Sequence, residues 1–325
     1  MATNANVLYE KNAAPEFYEE RYAKGYMDEW PLEKKQRVFR IIQQLGLPAQ
    51  GKALDIGCGN GVFTDVLKQA LPNWEVNGAE ISATAVEHAR TRYPACNFFV
   101  ASDQQVKEQQ FDLIFSHHVL EHVYNVEDFF AELQPHLRPG ASMLHICPCG
   151  NEGSLEDQIS RLIKLGIDYE REERRFFEEP GHLRRLTTER LRSVLEKHGF
   201  KLAQEWYHQH YWSAIAWITE WQRDEVSKLT DYNSGVDQQA SEKLKKLRSF
   251  LLPLTLLRLP LLTRQALLSK EQKSSKEMIK LLAATALFPL AKPVDYWINR
   301  KGLQEWEQRQ KDRRGGEMYL YFEKA

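Results

Sequence analysis

The chain has 325 residues, enough to bury a sizeable core as one elaborated domain or two smaller ones. Its 44 Lys and Arg nearly balance 45 Asp and Glu, so no global basic field argues for nucleic acid as a partner. Four scattered cysteines (Cys58, Cys96, Cys147, Cys149) exclude a disulfide scaffold, and no second pair completes a zinc set, so reduced thiols in a cytoplasmic protein are expected and no metal is called for. Residues 1–10 have neither a basic n-region nor an apolar h-region, and no signal peptide is expected there.

In chain order, residues 16–45 read as one helical stretch. Phe17, Tyr18, Tyr22 and Tyr26 form an aromatic stripe, Val38, Phe39, Ile41, Ile42 and Leu45 a second apolar face, and Gly46 with Pro48 ends the pattern. Next comes Ala53-Leu54-Asp55-Ile56-Gly57-Cys58-Gly59-Asn60-Gly61, an apolar strand running into alternate glycines, after which Val62 to Leu67 opens a helical pattern. Strand, glycine turn and helix in succession make the first half of a nucleotide-binding βαβ unit, because glycine lets the backbone approach a ligand that a Cβ would strike. The spacing is Asp55-x-Gly57-x-Gly59-x-Gly61, with the acid inside the motif, and not the G-x-G-x-x-G of a dinucleotide site.

A second strand over 74–82 ends at Glu80, about twenty residues past the turn, where Rossmann-like folds place a carboxylate that accepts ribose hydroxyls. Ser82 suits the N-cap of the next helix, which frees Glu80 for that role. A helix over 84–93 leads to a third strand over 97–101 and then to Ser102-Asp103. Residues 111–118 read as a fourth strand passing into a helix start near Val119, and 141–148 as a fifth after Leu137-Arg138-Pro139-Gly140. Residues 151–179 carry helical spacing at Leu155, Ile159, Leu162, Ile163 and Leu165; a helix over 191–199, a strand over 201–207 and a C-terminal strand over 317–323 complete the pattern.

The glycine motif resembles motif I of the class I S-adenosylmethionine-dependent methyltransferases. Phe111-Asp112-x-Ile114 with Val119-Leu120-Glu121-His122-Val123 is similar to the subgroup that contains the ubiquinone-pathway O-methyltransferases. The resemblance covers about residues 50–205. It implies a Rossmann-like α/β fold: a seven-stranded sheet of order 3-2-1-4-5-7-6, helices on both faces and an antiparallel last strand. It implies S-adenosyl-L-methionine held by Asp55, Gly57, Cys58, Gly59, Gly61, Glu80 and Ile81, with Arg37 on its carboxylate, Asp103 at the adenine amino group and His117 in contact. Asp103 as an ordinary turn aspartate is an equal alternative. His118 at the end of strand four and His182 on a later loop are the candidate general bases, while His122 reads as structural.

The expected organisation is a helical cap (1–50), a cofactor-binding core (51–210), a mainly helical insertion (211–315) and the last core strand (316–325). The insertion is far longer than the turn the fold needs. Its apolar runs at 250–262 and 281–294 are broken by proline and read as too short to cross a bilayer. Residues 240–301 hold 13 Lys plus Arg against 4 Asp plus Glu, a local +9. A lid, a homodimer surface and a membrane-interface segment, which would make the cytoplasmic protein peripheral, are the three expectations for it. The function expected is methyl transfer to a small-molecule or lipid- or sugar-linked acceptor, at oxygen; RNA or protein methylation and a non-catalytic cofactor-binding role are the alternatives.

Overall fold

The computed structural model describes residues 14–27, 29–103, 108–179, 181–268, 270 and 272–325. The chain forms two compact units: Met1–Pro148 with Glu179–Glu205 and Met318–Ala325, and Cys149–Glu178 with Trp206–Glu317. The second unit is therefore wider than the 211–315 insertion, because 149–178 belongs to it.

The first unit is built on β1 (Lys52–Ile56), β2 (Glu75–Glu80), β3 (Asn97–Val100), β4 (Phe111–His117) and β5 (Leu137–Pro148), all parallel. A two-stranded ribbon, β6 (Ile167–Asp168) and β7 (Arg174–Arg175), stands apart from this sheet. β8 (Phe200–His208) and β9 (Glu317–Lys324) complete seven strands in the order β3-β2-β1-β4-β5-β9-β8. This is the expected topology. The backbone bond from Gly316 to Gln209 at one end and from Ala325 to Gly199 at the other makes β9 antiparallel to β8. The central strands are apolar on both faces, with Ala53, Leu54, Leu113, Ile114, Phe115, Met143 and Leu144 all buried, as a sheet covered by helices requires.

Five caps set the helix starts. Gly61 (φ 81°) precedes α3 (Val62–Ala70), and Ser82 accepts the Ala85 N–H ahead of α4 (Ala83–Arg92). Asn125 and Thr187 do the same for α5 (Val126–Leu133) and α7 (Thr188–Lys197), and Ser154 for α6 (Leu155–Leu162) of the second unit. Two local expectations are corrected. The stretch over 16–45 is two helices, α1 (Ala14–Tyr22) and α2 (Leu32–Gln44). Gly25 and Met27 take positive φ, and Pro31 sits extended (ψ 138°), so the helix cannot run through. After β4 no helix starts at Val119; His118 turns left-handed (φ 55°), and α5 waits for the Asn125 cap.

In the second unit α8 (Trp212–Ile218), α9 (Arg223–Leu229), α10 (Gln238–Leu268) and α11 (Ser275–Arg309) follow α6. Ile159, Ile215, Ile218, Val226, Leu244, Leu251 and Ile298 share its core. Glu305 caps α8 by accepting the Tyr211 and Ser213 N–H groups and the Ser213 hydroxyl. Leu165 is exposed and lies outside the α6 stripe, since the helix ends at Leu162. The expectation of short, proline-broken apolar runs is overturned: α10 carries Pro253 and Pro260 within a continuous 31-residue helix, long and apolar enough by length and composition to cross a membrane. Its buried residues include Leu244, Leu251 and Arg258; those of α11 include Ala284, Ala291 and Ile298. These buried positions recur every seven residues on both helices, and packing of that face, where Leu244, Leu251 and Ile298 join the core of the unit, outweighs the roughly 3 kcal/mol each interior proline costs.

Candidate active site

β1 delivers the chain into the glycine turn, where Gly57, Gly59 and Gly61 all have positive φ. A Cβ at Gly57 would come within 2.5 Å of Val119 and one at Gly59 within 2.7 Å of the Tyr22 hydroxyl, so both need glycine twice over, for conformation and for space. Asp55 is buried and does not point into open space: its carboxylate accepts the Thr64 hydroxyl at 2.6 Å, and burial pushes its pKa up to about 7 against that bond. The Cys58 thiol is likewise pushed up, by burial and by the neighbouring Asp55 and Glu80.

Glu80 ends β2 beside the turn. One oxygen accepts the Gly59 N–H (2.9 Å), the other the N–H groups of Ile81 (2.8 Å) and Ser82 (3.2 Å). Burial raises its pKa, and these three donors oppose the rise. A carboxylate offers about four acceptor positions, so about one remains for a hydroxyl. Next to it the Ile81 side chain is 40% exposed, an apolar surface at the mouth of the turn. The residues present thus fit a nucleoside: a turn that admits close approach, an acid with acceptor capacity left, and an uncovered apolar face. The aromatic stripe of α1 meets this turn through Tyr22, while Glu19 of the same helix bonds the Thr84 N–H and hydroxyl on α4.

The other expected cofactor residues have protein partners of their own. Arg37 is buried and donates to the Tyr319 hydroxyl on β9 (3.2 Å). Asp103 accepts the Val100 N–H (3.1 Å), which closes the turn after β3 and matches its turn-aspartate alternative. His117 stacks on Phe63 (3.8 Å between ring centres) and meets the edge of Trp30 (4.8 Å).

His118 is where the chemistry concentrates. Its left-handed backbone carries the ring out of the strand direction, with Nδ1 2.9 Å from Glu121 Oε1 and Nε2 3.0 Å from Lys34 Nζ. A lysine ammonium only donates, so Nε2 accepts and the neutral tautomer carries its proton on Nδ1, the nitrogen that lies against Glu121. Glu121 is fully buried. Burial alone would raise its pKa, but the His118 Nδ1–H, 2.9 Å away, holds it below the usual carboxylate range. His182 lies at the edge of the same group, its ring 4.7 Å from that of His122 and Nε2 3.7 Å from Glu179. Burial lowers its pKa to about 3. Glu121 and Lys34 were missed as site residues. The i, i+3 spacing of His118 and Glu121 was a usable signal; Lys34 had none, since 84 positions separate it from His118.

A family model described as a methyltransferase domain matches residues 31–205, more than half of the chain. Among curated proteins, malonyl-[acyl-carrier protein] O-methyltransferase 2 of Ilyobacter polytropus is 28% identical over 117 residues, covering 35% of this chain and 40% of that protein. Trans-aconitate 2-methyltransferase of an Enterobacter species is 31% identical over 110 residues, with 34% and 42% covered. The chain spans less than half the length of these two relatives. Among solved structures, the cyclopropane synthase MmaA2 of Mycobacterium tuberculosis aligns with a TM-score of 0.43 at 19% identity, over 68% of this chain and 78% of that one. The Asp55–Gly61 turn, Glu80 at the end of β2, the strand order and the match over 31–205 agree: this chain belongs to the methyltransferase-domain family, the class I S-adenosylmethionine-dependent methyltransferases.

Proposed function

We propose that the protein transfers a methyl group from S-adenosylmethionine to an oxygen of a small-molecule or lipid-linked acceptor, with His118 as the general base. The Glu121–His118–Lys34 chain carries this reading. Gly57, Gly59 and Gly61 would cradle the cofactor, Glu80 accept a ribose hydroxyl and Ile81 pack on its base. The cofactor supplies a methyl group already activated by a sulfonium. Everything else falls to the protein: to position the acceptor and to take its proton. Once the Lys34 ammonium turns from Nε2 of His118 to the acceptor oxygen, Nε2 receives that proton as the oxygen gains its methyl. Glu121 holds the ring and stabilises the imidazolium that forms, and the Lys34 ammonium lies where negative charge develops on oxygen.

The test is methyl transfer from labelled cofactor to small hydroxy and carboxylic acids, quinols and lipid extracts. His118→Ala should lower turnover about 100-fold or more while S-adenosylhomocysteine affinity stays within about threefold. Unchanged turnover in His118→Ala would rule out the assigned base.

The α10–α11 pair supports action at a membrane surface. Its buried positions include the small Ala284 and Ala291, while Leu256, Leu257, Leu259, Ile279, Leu282 and Leu290 face outward. Only 22% of the most apolar stretch of α10 is buried. Small residues between helices and large apolar ones outside is the packing of helices in lipid. The local +9 charge suits an anionic interface, at about 1 kcal/mol per engaged Lys or Arg. Flotation with anionic and neutral vesicles checks this: salt-sensitive binding to anionic vesicles alone, weakened in Lys243→Gln/Lys245→Gln/Lys246→Gln, supports it. A protein that never floats, and sediments as a dimer, is using the pair as a subunit interface instead.

A further inference from the structure

We infer that Glu121, His122 and His182 form a binding site for one divalent transition-metal ion of the zinc class. One carboxylate and two imidazoles are a donor set that binds such ions in open sites, with a fourth position left for an exchangeable ligand. Each of the three offers a donor atom, and these lie within 4.8 Å of one another. Donors about 2 Å from a tetrahedral ion stand about 3.4 Å apart, so closing on the ion needs about 1 Å of side-chain movement. His122 and His182 are only half-buried and have that freedom.

Two further observations point the same way. The His122 Nδ1 lies 2.8 Å from the Gly181 carbonyl, which fixes the tautomer and leaves Nε2 as the ligand atom. A second partner on the ring's other nitrogen is the usual support of a metal-bound histidine. Both Glu121 carboxylate oxygens are buried with no hydrogen-bond partner among the described residues, although Oε1 lies 2.9 Å from His118 Nδ1. A buried carboxylate oxygen left without a donor is rare and calls for an explanation; a cation supplies one.

Glu121 would then join the ion to His118 through its two oxygens. The ion's role, drawing electron density from the acceptor oxygen whose proton His118 takes, rests on the methyl-transfer reading above. Metal binding itself does not, and the experiment separates them. Chelator-treated full-length protein is titrated with Co(II) and followed by its visible absorption, and zinc content is measured after dialysis. One equivalent of saturable binding is expected, weakened about 100-fold or more in Glu121→Gln and His182→Ala. His182→Cys should restore binding and add a thiolate-to-cobalt charge-transfer band, which a merely structural histidine would not produce. If Glu121→Gln does not fold, the two His182 variants decide. S-adenosylhomocysteine binding to the metal-free protein, measured by calorimetry, reports on the cofactor site alone. No saturable equivalent of metal, or binding unaltered in His182→Ala, overturns the inference.

Discussion

The glycine turn of the first unit and the α10–α11 pair of the second encode structure in opposite ways. In the turn, single residues determine the outcome: Gly59 is set by its own φ and by Tyr22 above it, and Glu80 by three N–H donors. In the helix pair no single residue does. Four interior prolines fail to stop two helices of 31 and 35 residues, because the packing of their buried faces holds them. Local stereochemistry dominates where a backbone must take an unusual conformation; distributed packing dominates where it need not.

The largest expected effect lies in the helix pair, at the one place where a single side chain matters. Arg258 is buried and bonds Asp295 (2.6 Å), the Thr219 hydroxyl (2.6 Å), the Ala216 carbonyl and Glu220 (3.2 Å). Arg258→Met should cost about 3–5 kcal/mol in denaturant unfolding, because it strands Asp295; adding Asp295→Leu should recover most of it. No recovery in the double variant would mean that the whole network, and not the unpaired charge, carries the loss.

A pH effect comes next, from the first unit. His145 on β5 is buried, paired with the Ser116 hydroxyl at 2.7 Å, and burial lowers its pKa from 6.5 to about 3. Between those values the unfolded chain binds the proton and the folded one does not. Its contribution is thus present above pH 6.5 and lost as pH falls toward 3, at up to about 1.4 kcal/mol per pH unit. Unfolding midpoints from pH 7 to 4 should fall less steeply in His145→Gln than in the parent.

Smaller again are the changes at the turn. Glu80→Ala should weaken S-adenosylhomocysteine binding by about 1–3 kcal/mol, as a ribose hydroxyl and three N–H groups lose their acceptor. Gly59→Ala carries about 1–2 kcal/mol of left-handed strain plus the contact with Tyr22. Pairing it with Tyr22→Phe should return only the contact part, and calorimetry on both proteins measures the division. The smallest effect belongs to the outer face of the helix pair: Leu256→Ser, Leu257→Ser and Leu259→Ser should each leave stability within about 0.5 kcal/mol, since these side chains are exposed. Vesicle flotation of the triple variant is the sensitive readout there, and stability lost in place of flotation would mean that this face is covered by protein.

The sequence by itself determined the strands, the glycine turn, Glu80 at a strand end and the Ser82 cap, while the order of the sheet came with the family resemblance. These follow from patterns written in contiguous residues: continuous apolar strands, glycines at fixed spacing, a capping side chain three positions before its donor. Only the tertiary structure decided that Asp55 is taken by Thr64, that Arg37 bonds Tyr319, and that Lys34 and Glu121 flank His118. Each of these joins residues brought together by folding, and a contact across tens or hundreds of positions leaves no local periodicity to read. The helix pair stands between the two. Its buried rows, Leu244-Leu251-Arg258 and Ala284-Ala291-Ile298, recur every seven residues in the sequence but were hidden, because leucines outside them are as apolar as those within. Apolarity alone says that a surface needs cover; which face receives it is settled only when the two helices meet.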